Sequence, residues 1–135
     1  MSAPAKRKKA SYIGVPAVFK FDLACKHIND AYGGFGCYVV GSALERPDWR
    51  DVDVVLILED EAFKREFPGT SHSTFEFDTK WLIHTVAISE WLKAQTGLPI
   101  AFKIQPQTWA NKTHSTKEGK RRNAIGLRFA REIDE

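Results

Sequence analysis

The sequence has few cysteines and no long apolar run, and both absences narrow the class of protein. The two cysteines, Cys25 and Cys37, are too few for a disulfide scaffold and lack the paired CxxC spacing of a zinc site. No stretch reaches the roughly 18 apolar residues of a membrane-spanning helix, so we expect no membrane association. The basic start is not followed by an apolar segment, which argues against a secretory signal. We therefore expect a reducing, cytoplasmic setting.

The composition that remains is typical of one folded domain. The chain has 135 residues, of which 43% are hydrophobic and 27% are charged. These values exclude a wholly disordered or collagen-like chain, and the length leaves little room for a second domain.

The formal net charge of +3 is distributed unevenly. We interpret residues 1–11, which carry Lys6, Arg7, Lys8 and Lys9, as a basic mobile tail. Residues 112–135 form a basic C-terminal extension, whereas the body at residues 12–111 has an excess of carboxylates. Basic ends predict a polyanionic partner such as a nucleic acid, and an acidic body predicts carboxylates gathered for a purpose such as metal binding.

The apolar pattern predicts a small α/β (α+β) domain, with a mixed sheet of three to five strands and helices packed on it. Two helical stripes are expected to face the core: Phe19, Leu23, His27 and Ile28 in the first long helix, and Trp81, Leu82, Ile83, Val86, Ile88, Trp91 and Leu92 in the second. Asp78 or Thr79 is expected to cap the second helix. The predicted elements are a helix over 16–32, strands over 37–40 and 51–58, a short helix over 59–67, a helix over 80–95 and a strand over 100–105, with 75–78 either a short edge strand or the approach to the helix.

The segment from Val39 to Leu58 contains the pattern that predicts chemistry. Gly41 and Ser42 follow one strand, and Asp51 and Asp53 begin the next. Side chains two residues apart on a strand share a face, so the two carboxylates are expected to project together with Cβ atoms roughly 6–7 Å apart. Carboxylates that close repel each other unless a cation lies between them, and Mg²⁺ prefers such ligands. Glycine lets a backbone approach a phosphate, and the Ser42 hydroxyl can donate to it.

This combination resembles the nucleotidyltransferase superfamily of the DNA polymerase β type. The resemblance is carried by the phrase VVGSALERPDWRDVDVVLIL, extends over roughly residues 17–105, and looks closest to small stand-alone proteins of bacteria and their phages. It implies a minimal nucleotidyltransferase fold with Asp51 and Asp53 as catalytic residues and as ligands of Mg²⁺ or Mn²⁺. It also implies transfer of a nucleoside monophosphate from a nucleoside triphosphate to a hydroxyl acceptor.

The family places a third carboxylate on a later strand, and here the matching position is Ala101. Three explanations are open: a degenerate member, a changed residue, or an acid from elsewhere. Glu76 and Asp78 are the candidate substitutes if 75–78 is extended. Without a third acid we expect a weaker metal site and a slower chemical step, because that acid is the usual general base.

Further residues are candidates for binding the nucleotide. Gly41, Ser42, Arg50 and Lys103 are assigned to the nucleotide, and Trp49 and Trp109 are candidates for base stacking. The alternative function is a non-catalytic protein of the same fold that binds nucleic acid, through its basic ends, or a protein partner. A third possibility is that a partner chain completes the site.

Overall fold

The computed structural model describes residues 11–71 and 74–126, which form a four-stranded mixed sheet with helices. This confirms the predicted α/β class. The basic run at residues 6–9 lies outside the described residues. The strands are β1 (Gly36–Val40), β2 (Val52–Leu58), β3 (Ile100–Pro106) and β4 (Arg122–Ile125), and the helices are α1 (Ala17–Tyr32), α2 (Asp60–Glu66), α3 (Thr79–Thr96) and α4 (Gln107–Thr113).

The strand order is β3-β2-β1-β4, so β2 and β1 are central. β1 is antiparallel to both β2 and β4, whereas β3 is parallel to β2. In this register Val40 lies opposite Asp53, and Asp53 lies opposite Ala101. These three side chains therefore share one face of the sheet.

The opposite face is covered by α1 and α3 and holds the main core. Val54 and Leu56 of β2 and Ile104 of β3 are buried there, because alternate residues of each strand point towards the helices. Trp81 of α3 fixes the helix to the sheet, since its indole Nε1 donates a 2.8 Å hydrogen bond to the carbonyl of Ile104. Trp81 also packs edge-on against Phe75, with ring centroids 5.4 Å apart.

The ends of α3 follow the predicted signals. The Asp78 carboxylate accepts a hydrogen bond from the backbone N–H of Trp81, which confirms Asp78 as the cap. Gly97 ends the helix with a φ of 73°, a left-handed conformation that favours glycine. Residues Phe75–Phe77 before it form a 3₁₀ turn, so this segment is the approach to the helix and not an edge strand.

The predicted buried faces of both long helices need correction. In α1, Phe19 and Leu23 are 69% and 59% exposed, and the stripe that packs on the sheet is Phe21, Ala24, Cys25 and Ile28. In α3, Trp81 and Leu92 are buried as expected, but Leu82, Ile83, Val86 and Trp91 are exposed. The reason in α3 is that apolar residues occur all around the helix, so their spacing does not select a face.

The sheet includes part of the segment that the sequence analysis sets apart as a C-terminal extension. β4 pairs with the outer edge of β1. Asn29 of α1 holds this edge, since its side chain accepts from Cys37 N at 2.8 Å and donates to the carbonyl of Ile125 at 3.0 Å. The described residues include no helix with the length and apolarity needed to cross a membrane.

Candidate active site

A pocket of about 810 Å³ lies on the face of the sheet that α1 and α3 leave open. Its floor is formed by side chains of β1, β2 and β3 that alternate with the core residues. α4 and the chain that follows it form a wall. The pocket is lined by Val40, Gly41, Ser42, Glu45, Arg46, Asp53, Val54, Val55, Glu76, Ala101, Lys103, Gln105, Trp109, Thr113, His114, Gly119, Lys120 and Arg121.

Gly41 and Ser42 lie where the sequence places them, at the end of β1. The chain turns there into a 3₁₀ turn (Gly41–Leu44) that is anchored by the buried side chains of Ala43 and Leu44. Gly41 has a φ of 80°, which other residues adopt only with strain. A Cβ atom at Gly41 would lie 2.5 Å from a carboxylate oxygen of Asp53. Only glycine therefore permits this close approach between the turn and the carboxylate.

Of the two carboxylates predicted as metal ligands, Asp53 is the one that lines the pocket. It is half-buried on β2, and its pKa is raised by burial, with the nearby Asp51 charge raising it further and Lys103 opposing the shift. Asp51 immediately precedes β2, is exposed, and is not part of the pocket lining. The two carboxylates interact electrostatically, but β2 positions only one of them.

The third-acid position lies next to Asp53 and holds no carboxylate. Ala101 is the register partner of Asp53 across the parallel pair, and its side chain is exposed on the same face. Glu76 reaches the pocket from its 3₁₀ turn and forms a 3.2 Å ion pair with Lys103. Asp78 caps α3, so the expectation that Glu76 and Asp78 share an extended face is wrong. Within residues 11–71 and 74–126, no group of three His, Cys, Asp or Glu side chains is placed to hold a metal ion.

Cations outnumber carboxylates in the pocket lining. Lys103 lies there as predicted, whereas Arg50 is exposed and does not line the pocket. The remaining lining cations are Arg46, Lys120 and Arg121, against the carboxylates Glu45, Asp53 and Glu76. Three of the four cations are ion-paired: Lys103 with Glu76, Arg121 with Glu45 and Arg46 with Asp48.

Two of these cations come from the basic C-terminal segment. Lys120 Nζ donates to the Thr113 carbonyl at 2.9 Å, and Arg121 Nη1 donates to the Leu44 carbonyl at 2.8 Å. The second bond connects this segment to the turn that carries Gly41 and Ser42. Part of the segment predicted to bind a polyanion is thus folded against the pocket, where its charges add to that of Lys103.

Sequence reasoning did not identify the inner polar residues of the pocket, Gln105 and His114. Gln105 is buried on β3, and the alternation that assigns Lys103 to this face also assigns Gln105 to it. His114 follows α4, and its pKa is lowered by burial and by the charges of Lys120, Arg122 and Lys103. No sequence signal marks His114, because it depends on how α4 returns over the sheet.

Comparisons with protein-family models, with curated proteins and with solved structures found no match to this chain. The interpretation of the pocket therefore depends on its own residues: a glycine turn against one carboxylate, on an open sheet face with an excess of cations.

Proposed function

We propose that this protein is a metal-dependent nucleotidyltransferase, which moves a nucleoside monophosphate from a nucleoside triphosphate to a hydroxyl acceptor. The observation that carries the proposal is the contact between Gly41 and Asp53. A left-handed glycine turn lies directly against a carboxylate, inside a pocket whose other charged side chains are mostly cationic. The pocket volume falls within the range of about 300–1,000 Å³ that small-molecule sites occupy.

The glycine turn and the charged side chains of the pocket have different parts in this proposal. Gly41 lets the turn approach the Asp53 carboxylate closely, and Ser42 donates its hydroxyl to a phosphate bound beside that carboxylate. Lys103 and Arg121 offset the charge of the phosphate chain, which carries several negative charges into a half-enclosed site. Asp53 has a raised pKa, because its ionised form is partly desolvated and faces Asp51, so a bound cation would favour the ionised form.

The residues fit a magnesium ion that is held jointly by the protein and the substrate. Mg²⁺ commonly binds through one or two carboxylates plus substrate phosphates, and Asp53 can supply one such carboxylate, while the charge of the nearby Asp51 adds to the attraction. When bound, the ion would neutralise the charge that develops on the leaving pyrophosphate. Ala101 removes the usual general base, so we expect slow transfer compared with a site that has three acids.

The test is a pair of measurements on the native chain. Calorimetric titration should show nucleoside triphosphate binding that is strengthened by Mg²⁺, and an α-labelled nucleotide should transfer its label slowly to a hydroxyl acceptor. Asp53→Asn keeps the size of the side chain and should abolish the effect of Mg²⁺. Asp30→Asn, the same change at an exposed position of α1 whose ion-pair partner Lys26 also lies outside the pocket lining, is the control. Absence of nucleotide binding, or binding unaltered by Asp53→Asn, would overturn the proposal.

Restoring the third carboxylate at position 101 provides an independent test of the proposal. Ala101→Asp would add a carboxylate on the same face as Asp53, on a strand roughly 4.8 Å away. We expect this variant to bind Mg²⁺ more tightly and to transfer label faster than the native chain, because the third carboxylate is both ligand and general base.

Binding without transfer is the second candidate function, and Ala101 is the observation that favours it. In that case the protein would bind a nucleotide or nucleic acid through Lys103, Lys120 and Arg121 and show no label transfer. The exposed apolar side chains of α3, such as Ile83 and Val86, favour a protein partner bound on the side of the sheet opposite the pocket. Nucleotide binding with no transfer by native chain or by Ala101→Asp would support this candidate.

A further inference from the structure

The inner end of the pocket contains a buried hydrogen-bond acceptor that the phosphate-binding residues do not use. Gln105 is only 4% exposed, lines the pocket, and its side-chain oxygen Oε1 has no hydrogen-bond partner. A buried polar group left without a partner costs about 1–3 kcal/mol. A ligand that offers an N–H donor to this oxygen would recover that free energy.

His114 presents a second buried atom of the same kind. Its ring nitrogen Nε2 has no hydrogen-bond partner, and the residue lines the same pocket from the end of α4. Lys120, Arg122 and Lys103 surround it with positive charge, which together with burial keeps the ring neutral. A neutral imidazole can donate or accept a hydrogen bond, but it does not attract a phosphate as a cation would.

The position of Gln105 along β3 separates it from the phosphate end of the site. Ala101, Lys103 and Gln105 follow one another on the open face, and Ala101 lies in register with Asp53. Four steps of about 3.3 Å place Gln105 roughly 13 Å along the strand from Asp53. Lys103 lies between them. A nucleotide whose phosphates meet Gly41 and Asp53 is long enough to bring its base to Gln105.

The surroundings of this end suit an aromatic ring. Val55 of β2 forms part of the floor, and Trp109 of α4 lines the wall with one edge against Phe75, at a ring-centroid distance of 5.6 Å. Apolar walls with a few polar groups are the usual composition of a site that orients a small organic ligand. The cations are not separated from these groups, since Lys103 precedes Gln105 by two residues on the same face and Lys120 and Arg122 lie near His114.

We infer that the inner end of the pocket is a nucleobase-recognition subsite, in which Gln105 Oε1 accepts a hydrogen bond from an N–H of the base and His114 Nε2 makes a second one. The inference rests on the proposed function. The terminal torsion of a glutamine side chain is soft, so the amide can turn its oxygen towards a ligand at little cost. The consequence is that the site selects nucleotides over bare polyphosphate.

The experiment compares a nucleotide with a bare triphosphate. Binding of ATP, GTP, CTP, UTP and inorganic tripolyphosphate is measured calorimetrically with Mg²⁺ on the native chain and on Gln105→Met, which has the length of glutamine but no acceptor. We expect the native chain to prefer at least one nucleotide over tripolyphosphate by about 5-fold to 150-fold, the factor that corresponds to 1–3 kcal/mol. Gln105→Met should lose that preference and keep its affinity for tripolyphosphate.

Two further variants make the result specific. Gln95→Met is the same change at an exposed position of α3 and should leave every affinity unchanged. His114→Phe removes the second hydrogen-bonding group, which lies at the end of α4, and should reduce the same preference for nucleotide over tripolyphosphate. The inference can therefore be tested even if Gln105→Met does not fold.

Three outcomes would contradict the inference. Nucleotides that bind the native chain no more tightly than tripolyphosphate overturn the base subsite and leave the proposed function standing. A preference that persists in both Gln105→Met and His114→Phe has the same meaning. If neither nucleotides nor tripolyphosphate bind the native chain, the proposed function fails and the inference fails with it.

Discussion

Replacing Gly41 with alanine tests the contact on which the proposed site depends. Two separate costs are expected at this position. The backbone has a φ of 80°, where an L residue other than glycine is strained by about 1–2 kcal/mol. The added methyl group would also lie 2.5 Å from Oδ2 of Asp53, closer than side chains tolerate.

The steric contact is expected to displace the Asp53 carboxylate more than it lowers the free energy of unfolding. The nearest atom is the tip of the Asp53 side chain, and the next contacts, to its Cγ and Cβ, are at 3.4 and 3.6 Å. The carboxylate can therefore turn away by about 0.5 Å or more without moving β2, because side-chain torsions are softer than the backbone. Misplacement of a reacting group by about 1 Å can cost roughly 100-fold in rate. We expect Gly41→Ala to lower label transfer by about 10-fold to 100-fold.

Gly97→Ala is the matched control. Gly97 has a φ of 73° at the end of α3, and a Cβ atom there would meet nothing within 4 Å. Chemical denaturation should show similar losses of about 1–2 kcal/mol for both variants, while only Gly41→Ala should weaken Mg²⁺-dependent nucleotide binding. In an Asp53→Ala background, Gly41→Ala should retain only the backbone cost. A Gly41→Ala variant that binds nucleotide and transfers label as well as Gly97→Ala would refute the reasoning.

Three other predictions concern the fold and the charges around the pocket. Asn29→Ala should lower the free energy of unfolding by about 2–3 kcal/mol, because it leaves backbone groups of β1 and β4 unpaired. Guanidinium titration measures this loss. Lys93→Ala, which breaks an exposed ion pair, is the control and should lower the free energy of unfolding by less than about 1 kcal/mol. The free energy of unfolding, measured by urea titration, should fall as the pH is lowered from about 6.5. The pKa of His114 is lowered in the folded chain, so the imidazole is protonated at a higher pH in the unfolded chain than in the folded one. His114→Gln should make the free energy of unfolding less dependent on pH in this range. Glu76→Gln should strengthen triphosphate binding about 2-fold to 5-fold by releasing Lys103 from its ion pair, whereas weaker binding in calorimetry would indicate that Glu76 helps to hold the cation.

Strands β1, β2 and β3 and the glycine turn could be predicted from the sequence because their signals are local. β2 is an apolar β-branched run, and such a run is typical of a buried central strand. Gly41 and Ser42 follow directly after β1, where the apolar run ends. The alternation in β3 correctly put Ala101 and Lys103 on the open face.

The buried faces of the helices could be predicted only in part. Ile28, Trp81 and Leu92 are buried as expected, but each helix carries apolar residues on more than one side. In α1, Phe19 and Leu23 have the i, i+4 spacing of a core stripe, as do Phe21 and Cys25. The choice depends on how the helix meets the sheet and α3, which is set by contacts distant in sequence. The spacing of the apolar residues shows that the segment is helical, but it does not show which side of the helix faces the sheet.

The pocket wall escaped prediction for a related reason. α4 and β4 have seven and four residues, and each contributes a single buried apolar side chain, Ala110 and Ile125. Elements this short are held by the sheet they join more than by their own propensity. The residues that they bring to the pocket, His114 and Arg121 among them, could therefore not be assigned to the site from spacing alone.

Compared with a site that has three carboxylates, both Ala101 and Lys103 make this site more positive. One removes a negative charge beside Asp53, and the other adds a positive charge two residues further along the same face. A cation alone then meets one positioned carboxylate and a nearby lysine, so its own affinity is low. In the proposed function, a triphosphate would meet Lys103, Lys120 and Arg121 and would bring further oxygen ligands for the cation. In the proposed function, the nucleotide therefore binds measurably without Mg²⁺, and Mg²⁺ binds tightly only with the nucleotide in place.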